Sequence, residues 1–537
     1  MAKPAAAAPA AVTDQGRSDN NCCVEKKTFW SQHLASVTLS LIMFLVGLAN
    51  GWSSPYLAKL SLQESTDGIA KLTSEQLTWL ASLMNIARIF GACAGAVAQD
   101  TVGRKMSLCF AGLPMLGGWL CVATASRVEW LYAARACCGF AMGMIWTTLS
   151  LYLAEIADPE IRGSLASITH YLFIIITKTN SILACLAKII ILISPCIAGR
   201  RRCVDRSCNL FSLPRPLCTP LSNNEQVLWN ISAQSIGLFL GNLMGPYISM
   251  KIFGYVAISF NLLFLLLFPL VPDSPYRYIT IGRLDKAEAS LAWLRRRADV
   301  KAELQQLQDY VESSRVSLLE RMREFKDPIY MKSFLMMFMI NIFSYFGAYN
   351  VTNNYMEIII TSSRVSIEAS TIVTSIQGCS IVSGLLATFR VDRYGRRFLL
   401  IASSLGMALS LTSLGVHFLL LRRFDFDPAW LTWLPCLCLL CYSMSYTAGC
   451  GCIPSALVGE LFSPRLKTLA SLVFSATSAV FSSLSTMTFL PFLELVGPAA
   501  LFWFYSAGIY ASIVYYYYYV PETMGKSLQD IQKEPDK

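Results

Sequence analysis

The 537 residues include 54% hydrophobic and only 15% charged side chains, and the mean hydropathy is +0.49. A soluble protein of this length would carry roughly a quarter charged residues, so the composition excludes a soluble globular protein and predicts a membrane protein. The net charge of +10 does not indicate a nucleic-acid partner, because lysine and arginine collect in the polar stretches between apolar runs, as orientation in a lipid bilayer requires.

The chain begins with a polar segment, residues 1–32, that is rich in alanine and proline at its start. The first long apolar run comes only after Trp30. This layout differs from that of a cleavable signal peptide. We therefore interpret residues 1–32 as a cytosolic N-terminal tail.

A series of apolar runs follows, each long enough to cross about 30 Å of hydrocarbon. They predict an all-α membrane protein with twelve transmembrane helices, near residues 35–56, 77–99, 106–126, 130–153, 228–249, 252–272, 333–360, 367–389, 398–420, 430–458, 466–490 and 498–520. A polar stretch, residues 273–332, separates the sixth span from the seventh. Its apolar residues recur with helical spacing, at Ala287, Leu291 and Leu294. Its basic residues predict a cytosolic helical loop, which makes both termini, including the tail 521–537, cytosolic.

Three sequence markers occur in the same order in both halves of the chain. A turn of the form Asp-x-x-Gly-Arg-basic follows the second and eighth spans, a glutamate with a basic residue seven positions later follows the fourth and tenth, and a proline with an acidic residue closes the sixth and twelfth. The repetition predicts two pseudo-symmetric six-helix halves, residues 33–272 and 333–520. Transporters with such repeats hold their substrate near the membrane midplane, between the halves.

The charged members of these markers form a predicted cytosolic gate. Glycine permits the tight turn, and the aspartate can accept hydrogen bonds from N–H groups at the start of a helix. The glutamates and basic residues can pair across the two halves and separate when the halves rock; solvated loop charges are the alternative. The predicted gate residues are Asp100, Arg104, Glu155, Arg162, Asp392, Arg396, Glu460 and Lys467.

One interval breaks the symmetry between the halves. Glu155 and Pro272 are 117 residues apart, whereas Glu460 and Pro521 are 61 apart, an excess of 56. The excess lies within residues 168–227, where lysines interrupt two short apolar runs. Part of this stretch can be encoded almost wholly by pyrimidine-rich codons and resembles the end of an intron. We interpret residues 168–227 as an aberrant insert, because a single extra span would move every later basic loop across the membrane.

Together these motifs resemble the sugar porter family of the major facilitator superfamily, especially the insect facilitated trehalose and hexose transporters. Besides the three markers, the matching residues include Gly51–Pro55, Arg135 with Gly139, Pro272–Pro275, Ile453-Pro454 and Pro521–Leu528. The resemblance covers about residues 30–532 outside the insert. It implies the major facilitator fold in the cell membrane and facilitative transport of trehalose or a hexose by alternating access. It implies no cofactor and no metal.

The sequence departs from the family where a sugar would bind. The glutamine pair of the seventh span is missing, so that Asn350 is what remains of that motif, and the tenth span reads Gly451–Ser455 without its aromatic residue. Amides and aromatic rings are the groups that hold a polyol. The remaining candidates for the sugar site are Asn350, Tyr345, Asn353, Asn354, Gln377 and Gln234. Each of them can instead make a helix–helix hydrogen bond.

Two features bear on the transport mechanism. Proton-driven relatives need a carboxylate in the first span, and the stretch Ser36–Tyr56 has no aspartate, glutamate or histidine, which predicts uniport. The weakened sugar site leaves a second hypothesis, a sugar sensor or scaffold of the same fold that does not transport. Enzymatic phosphate-loop, zinc-protease and serine-hydrolase motifs are missing from the sequence, and no enzyme is predicted.

Arg88 falls in the middle of the second span. An unpaired cation at this depth costs at least about 2.5–3.5 kcal/mol. Arg88 is therefore expected to face a cavity or a partner, and Glu357 of the seventh span is one candidate for that partner.

Overall fold

The computed structural model describes residues 21–62, 65–66, 68–156, 223–295, 300–313, 323, 328–365, 367–423, 433–451, 453–462 and 466–522. Most of the predicted insert, residues 168–222, lies outside these ranges, as does Arg162.

The N-terminal half is a bundle of helices in which the first two in chain order together form the first span. They are α1 (Asn21–Gly51), α2 (Ser53–Leu62), α3 (Ser74–Thr101), α4 (Arg104–Ala123), α5 (Val128–Ile156), α6 (Asn223–Met244) and α7 (Met250–Leu267). A two-stranded antiparallel pair, β1 (Ser65–Thr66) and β2 (Ile69–Ala70), follows α2. The start of α3 is fixed by a capping box in which Thr73 and Gln76 exchange hydrogen bonds between side chain and backbone.

Three short helices connect the halves: α8 (Pro275–Thr280), α9 (Leu284–Arg295) and α10 (Lys301–Ser313). They share a small apolar core of their own. The C-terminal half then consists of α11 (Pro328–Phe346), α12 (Tyr349–Ser362), α13 (Ala369–Tyr394), α14 (Arg396–Arg423), α15 (Trp433–Ser445), α16 (Ile453–Leu461), α17 (Lys467–Val496) and α18 (Pro498–Tyr519). A π-helical turn, Tyr446–Cys450, follows α15.

Eight helical stretches of the described chain are long and apolar enough to cross a membrane. They are Val37–Ser61, Ser74–Thr101, Arg104–Ala123, Met250–Leu270, Tyr330–Ser362, Arg396–Arg422, Thr468–Val496 and Pro498–Tyr519. Helices α5, α6 and α13 and the pair α15–α16 occupy the four other predicted spans.

The helix boundaries differ from the predicted spans in two ways. Helix α6 begins at Asn223 rather than Leu228, so residues 223–227 of the predicted insert are helical; this first turn is polar and escapes a boundary drawn from hydropathy. The seventh and tenth spans are each broken into two helices, with the breaks at Gly347 and near Gly451. Hydropathy does not register such a break, because the residues around it are as apolar as the rest of the span.

The halves meet along pseudo-symmetric contacts. Helix α3 packs against α17, and α6 packs against α13, so the second span meets the eleventh as the fifth meets the eighth. The turns into α4 and α14 also match, with φ and ψ of 98° and 167° at Gly103 and of 83° and 158° at Gly395. Both values require the conformational freedom of glycine. We call the end of the bundle with these two turns the loop end, and the other the opposite end.

Within the N-terminal half, glycines that are spaced one turn apart along their own helix bring pairs of facing helices into backbone contact. A Cβ atom at Gly139 of α5 would lie 2.1 Å from the Met84 carbonyl oxygen of α3, and one at Gly91 would lie 2.0 Å from that of Phe140. Helices α1 and α6 meet in the same way at Gly47 and Gly237. Small residues at this spacing are the usual means by which membrane helices pack closely.

Candidate functional site

A tyrosine of the tenth span stabilises the break in the seventh span through a hydrogen bond. Between α11 and α12, Ala348 has a φ of 68°, a conformation that residues other than glycine rarely adopt. The Tyr442 hydroxyl of α15 donates a hydrogen bond of 2.7 Å to the Gly347 carbonyl oxygen, so this carbonyl, freed from the helix, is satisfied. The break sets Asn350 at the first turn of α12.

Helix α12 brings together four of the predicted sugar-site residues. Asn350 Nδ2 donates to Ser482 Oγ of α17 at 2.7 Å. Gln377 Nε2, on α13, donates to Asn353 Oδ1 at 2.9 Å. Asn353 and Asn354 are both buried. In this conformation three of the four amides, those of Asn350, Asn353 and Gln377, therefore connect helices to one another, as the helix–helix alternative predicts.

The two other candidates stand apart from this group. The Tyr345 side chain lies outside the described residues. Gln234 is half-buried on α6, where its backbone carbonyl oxygen faces Gly47 of α1. Among the described residues, no hydrogen bond joins the Gln234 side chain to the four residues around α12.

An aromatic pair that the sequence analysis missed lies beside Asn350. The rings of Tyr349 and Tyr446 are stacked, with centroids 3.4 Å apart and planes inclined by 10°. Tyr446 begins the π-helical turn of the tenth span, and such turns are frequent at functional sites. The sequence signal was a tyrosine just before the glycine-rich stretch Gly449–Gly451, upstream of the position where the family's aromatic residue was sought.

Arg135 connects α5 to the junction of α1 and α2. Its Nη1 donates to the Ala49 carbonyl oxygen at 2.9 Å and its Nη2 to Ser53 Oγ at 2.6 Å. The guanidinium lies 4.3 Å from the centroid of the Trp52 ring, a favourable cation–π distance. Arg135 Nη1 also lies 3.3 Å from the Met84 sulfur. Every partner that the described chain offers this buried cation is uncharged.

The two halves also touch at the opposite end, where α2 packs against α12. The Glu357 backbone N–H donates to Ser54 Oγ at 3.2 Å. On the same helix as Ser54, Lys59 Nζ donates to the carbonyl oxygens of Gly245 and Pro246, at 2.8 and 3.1 Å. These carbonyls lie just beyond the last residue of α6, Met244, so the lysine ties the first span to the fifth.

At the loop end, the start of α14 is capped by a carboxylate from the far end of the chain. The N–H groups of Arg396 and Arg397 donate to the two carboxylate oxygens of Glu522, at 2.9 and 3.1 Å. From the sequence, the aspartate of the turn is the predicted cap of the helix start, and Glu522 takes that place instead. The sequence clue to the role of Glu522 was its position in the third repeated marker, where its counterpart in the first half is Asp273. Asp273 forms an ion pair of 3.5 Å with Arg277.

The predicted gate is described only in part. Asp100 is exposed, Arg104 is half-buried and Arg396 is buried. The side chains of Glu155, Asp392, Glu460 and Lys467 lie outside the described residues, as does the whole of Arg162. The pairing of gate charges across the halves therefore stays a prediction.

Replacing Glu522 with glutamine is expected to destabilise the loop end. One acceptor oxygen and the negative charge at the helix N-terminus are lost, which is worth about 0.5–2 kcal/mol. Thermal unfolding of the purified protein in detergent checks this as a lower midpoint. Glu494→Gln is the matched control, because Glu494 is exposed near the end of α17; equal midpoints for the two variants would contradict the capping role.

Arg88 bonds to a different residue from the one considered in the sequence analysis. Its Nη2 donates to Ser478 Oγ of α17 at 3.1 Å, and both residues are buried. Glu357 lies nearer the opposite end and does not pair with it. The hydroxyl partner was not predictable, because Ser478 is one of many serines along α17.

A family model described as "Sugar (and other) transporter" matches residues 33–177 and 219–534. Residues 178–218 fall outside both matches. Among curated proteins, the facilitated trehalose transporter Tret1 of Apis mellifera ligustica is 25% identical over 506 residues, which cover 94% of this chain and 88% of that protein. The Tret1 of Drosophila virilis is 25% identical over 507 residues, and this chain spans 49% of its length.

Solved structures share the fold at low sequence identity. The xylose transporter XylE from E. coli, in a partially occluded inward open conformation, is 18% identical with a TM-score of 0.67, over 92% of this chain and 99% of that one. The proton:xylose symporter XylE bound to 6-bromo-6-deoxy-D-glucose gives 17% identity and the same TM-score, over 94% and 99%. The predicted twelve-helix major facilitator fold of a multi-pass membrane protein is confirmed.

Proposed function

The chain belongs to the sugar transporter family, and from this premise we propose that it carries a sugar down its gradient across the cell membrane by alternating access. Trehalose or a hexose is the proposed substrate. The names of the curated relatives support trehalose. We further propose that the loop end, with both termini, faces the cytosol and that the predicted gate charges close it.

The proposal of uniport rests mainly on the contacts of Arg135, all of which are uncharged in the described chain. A proton-driven carrier needs a buried group that binds and releases a proton during each cycle. The guanidinium is instead held by the Ser53 hydroxyl, the Ala49 carbonyl and the Trp52 ring. A serine hydroxyl keeps its proton throughout the physiological range, so the arrangement supports a flux that depends on the sugar gradient alone.

Uptake into proteoliposomes under an imposed pH step tests this proposal. The sugar is expected to reach equal concentrations inside and outside, whatever the direction of the pH step. Accumulation above equilibrium would contradict uniport. Ser53→Asp sharpens the test by placing a carboxylate beside Arg135. Protonation of this carboxylate breaks its ion pair with the guanidinium. This variant is expected to take up sugar faster at acidic pH, whereas the matched neutral variant Ser53→Asn is expected to show no such dependence.

For the sugar site, we propose the amides around α12 together with the tyrosine pair. Asn350, Asn353, Asn354 and Gln377 supply paired donors and acceptors of the kind that sugar hydroxyls need. Their bonds to neighbouring helices lie within the C-terminal half, and the hydroxyls of a sugar that enters between the halves would replace them. Tyr446 offers the ring face on which the apolar side of a sugar can stack.

We also propose that residues from 168 to about 222 are not part of the functional transporter. The unmatched stretch 178–218 and the unequal spacing of the markers support this. A transcript lacking these codons is expected to predominate, and the shortened protein is expected to match or exceed the full chain in membrane yield and sugar uptake. If only the long transcript exists and the deletion abolishes folding, the segment is a genuine structural insertion.

A further inference from the structure

Arg88 is a buried cation in the middle of the membrane at the seam between the halves. It lies on the face of α3 that packs against α17, and only 6% of its surface is exposed. Its one hydrogen bond in the described chain goes to the Ser478 hydroxyl. The buried Arg88 Nε has no hydrogen-bond partner there.

No described carboxylate compensates this charge. Glu75 and Asp100 lie at the two ends of α3 itself, and Glu357 and Glu494 lie on α12 and α17. None of these four forms an ion pair with Arg88 in the described chain. A charged side chain at the bilayer centre is costly and marks the path of a substrate or an ion. The Ser478 hydroxyl offers a single acceptor atom, whereas the guanidinium presents five N–H donors in a planar fork. Most of these donors are therefore not satisfied by the hydroxyl.

Arg88 is linked to the proposed sugar site through α17. Ser478 and Ser482 are four residues apart and therefore share one helix face. The first accepts a hydrogen bond from Arg88 and the second accepts one from Asn350. Ser475 and Thr486 continue the same face, and all four side chains are buried. The guanidinium is thus about one helical turn from the predicted sugar-binding amide.

We propose that Arg88 is a specificity-determining residue that binds a carboxylate, so that the substrates of this carrier include sugar acids of the hexuronate class. The proposal rests on the sugar-transport function proposed above. The planar guanidinium fork matches a carboxylate in two parallel hydrogen bonds. A carboxylate carries one negative charge and neutralises one arginine, whereas a sugar phosphate, with a charge of about −1.5 to −2, would leave an excess charge in the membrane.

The test compares two probes of nearly equal shape, D-glucuronate and its uncharged amide, D-glucuronamide. Each competes with labelled trehalose or glucose for uptake into proteoliposomes that hold the full-length carrier. Wild type is expected to prefer glucuronate by at least about tenfold, the value of one charge-assisted hydrogen bond. Arg88→Gln is expected to abolish the preference while the neutral sugar is still carried, and Arg88→Lys is expected to retain part of it.

A second variant keeps the test decisive if Arg88→Gln does not fold. Ser478→Ala removes only the competing hydroxyl, so the preference for glucuronate is expected to persist or increase. Equal competition by the two probes in wild type, or a preference unchanged in Arg88→Gln, would overturn the proposal. So would stronger competition by glucose 6-phosphate than by glucuronate. Failure of the proposed function itself is distinguishable, because then no sugar, neutral or acidic, would enter the vesicles.

Discussion

Gly139→Ala is expected to prevent normal folding, although it adds a single methyl group. The added Cβ would lie 2.1 Å from the Met84 carbonyl oxygen, which belongs to the backbone and cannot swing aside. Helices α3 and α5 would have to separate along their whole contact, including Gly143, where a Cβ would lie 2.2 Å from the Arg88 carbonyl oxygen. Overpacking of this kind costs about 1–3 kcal/mol and sometimes more.

The yield of monodisperse protein after membrane extraction measures this effect. Gly117→Ala is the matched control, because Gly117 lies inside α4 with no neighbouring atom within 4 Å of a Cβ. Alanine is more favourable than glycine within a helix by about 0.8–1.0 kcal/mol, so the yield of Gly117→Ala is expected to equal or exceed that of wild type. Similar yields for the two variants would show that α3 and α5 are not in backbone contact.

Arg135→Gln is expected to have the largest effect on transport. It removes hydrogen bonds to the Ala49 carbonyl and the Ser53 hydroxyl, each worth about 1.5–3 kcal/mol for a charged donor, together with the cation–π contact to Trp52. The junction of α1 and α2, which supports the contact between the halves at the opposite end, would lose its attachment to α5. A loss of only about 1.4 kcal/mol corresponds to a tenfold change, so the initial uptake rate is expected to fall at least about tenfold.

Uptake per folded carrier checks this, with Arg127→Gln as the control. Arg127 is exposed just before α5, at the same end of the bundle, so its removal is expected to leave the rate unchanged. Arg135→Lys keeps the charge but not the two-pronged geometry and is expected to be intermediate. Wild-type uptake by Arg135→Gln would contradict the role assigned to the junction.

Features encoded locally were predictable from the sequence. The turns at Gly103 and Gly395 and the apolar runs depend on a few neighbouring residues, so the twelve-helix arrangement and its internal symmetry follow from pattern alone. The broken seventh span was not predictable, because its break depends on the Tyr442 hydroxyl, which lies 95 positions along the chain from Gly347.

The partners within the site depend on tertiary structure and could not be assigned from one sequence. Asn350 was a candidate by its register in the motif, yet its bond to Ser482 spans 132 positions, and α17 offers many serines of equal promise. Tyr446 supplies an aromatic ring from a π-helical turn that no periodicity indicates. The cap that Glu522 places on α14 likewise joins residues 126 positions apart.

Sugar entry into proteoliposomes that contain only this purified protein tests the central claim most directly. Vesicles preloaded with unlabelled trehalose or glucose are placed in labelled sugar, and empty liposomes serve as the control. A uniporter is expected to exchange the label rapidly and then to equilibrate it, without any ion gradient. Specific binding of the sugar with no entry of label would contradict transport and would identify a sensor of the same fold.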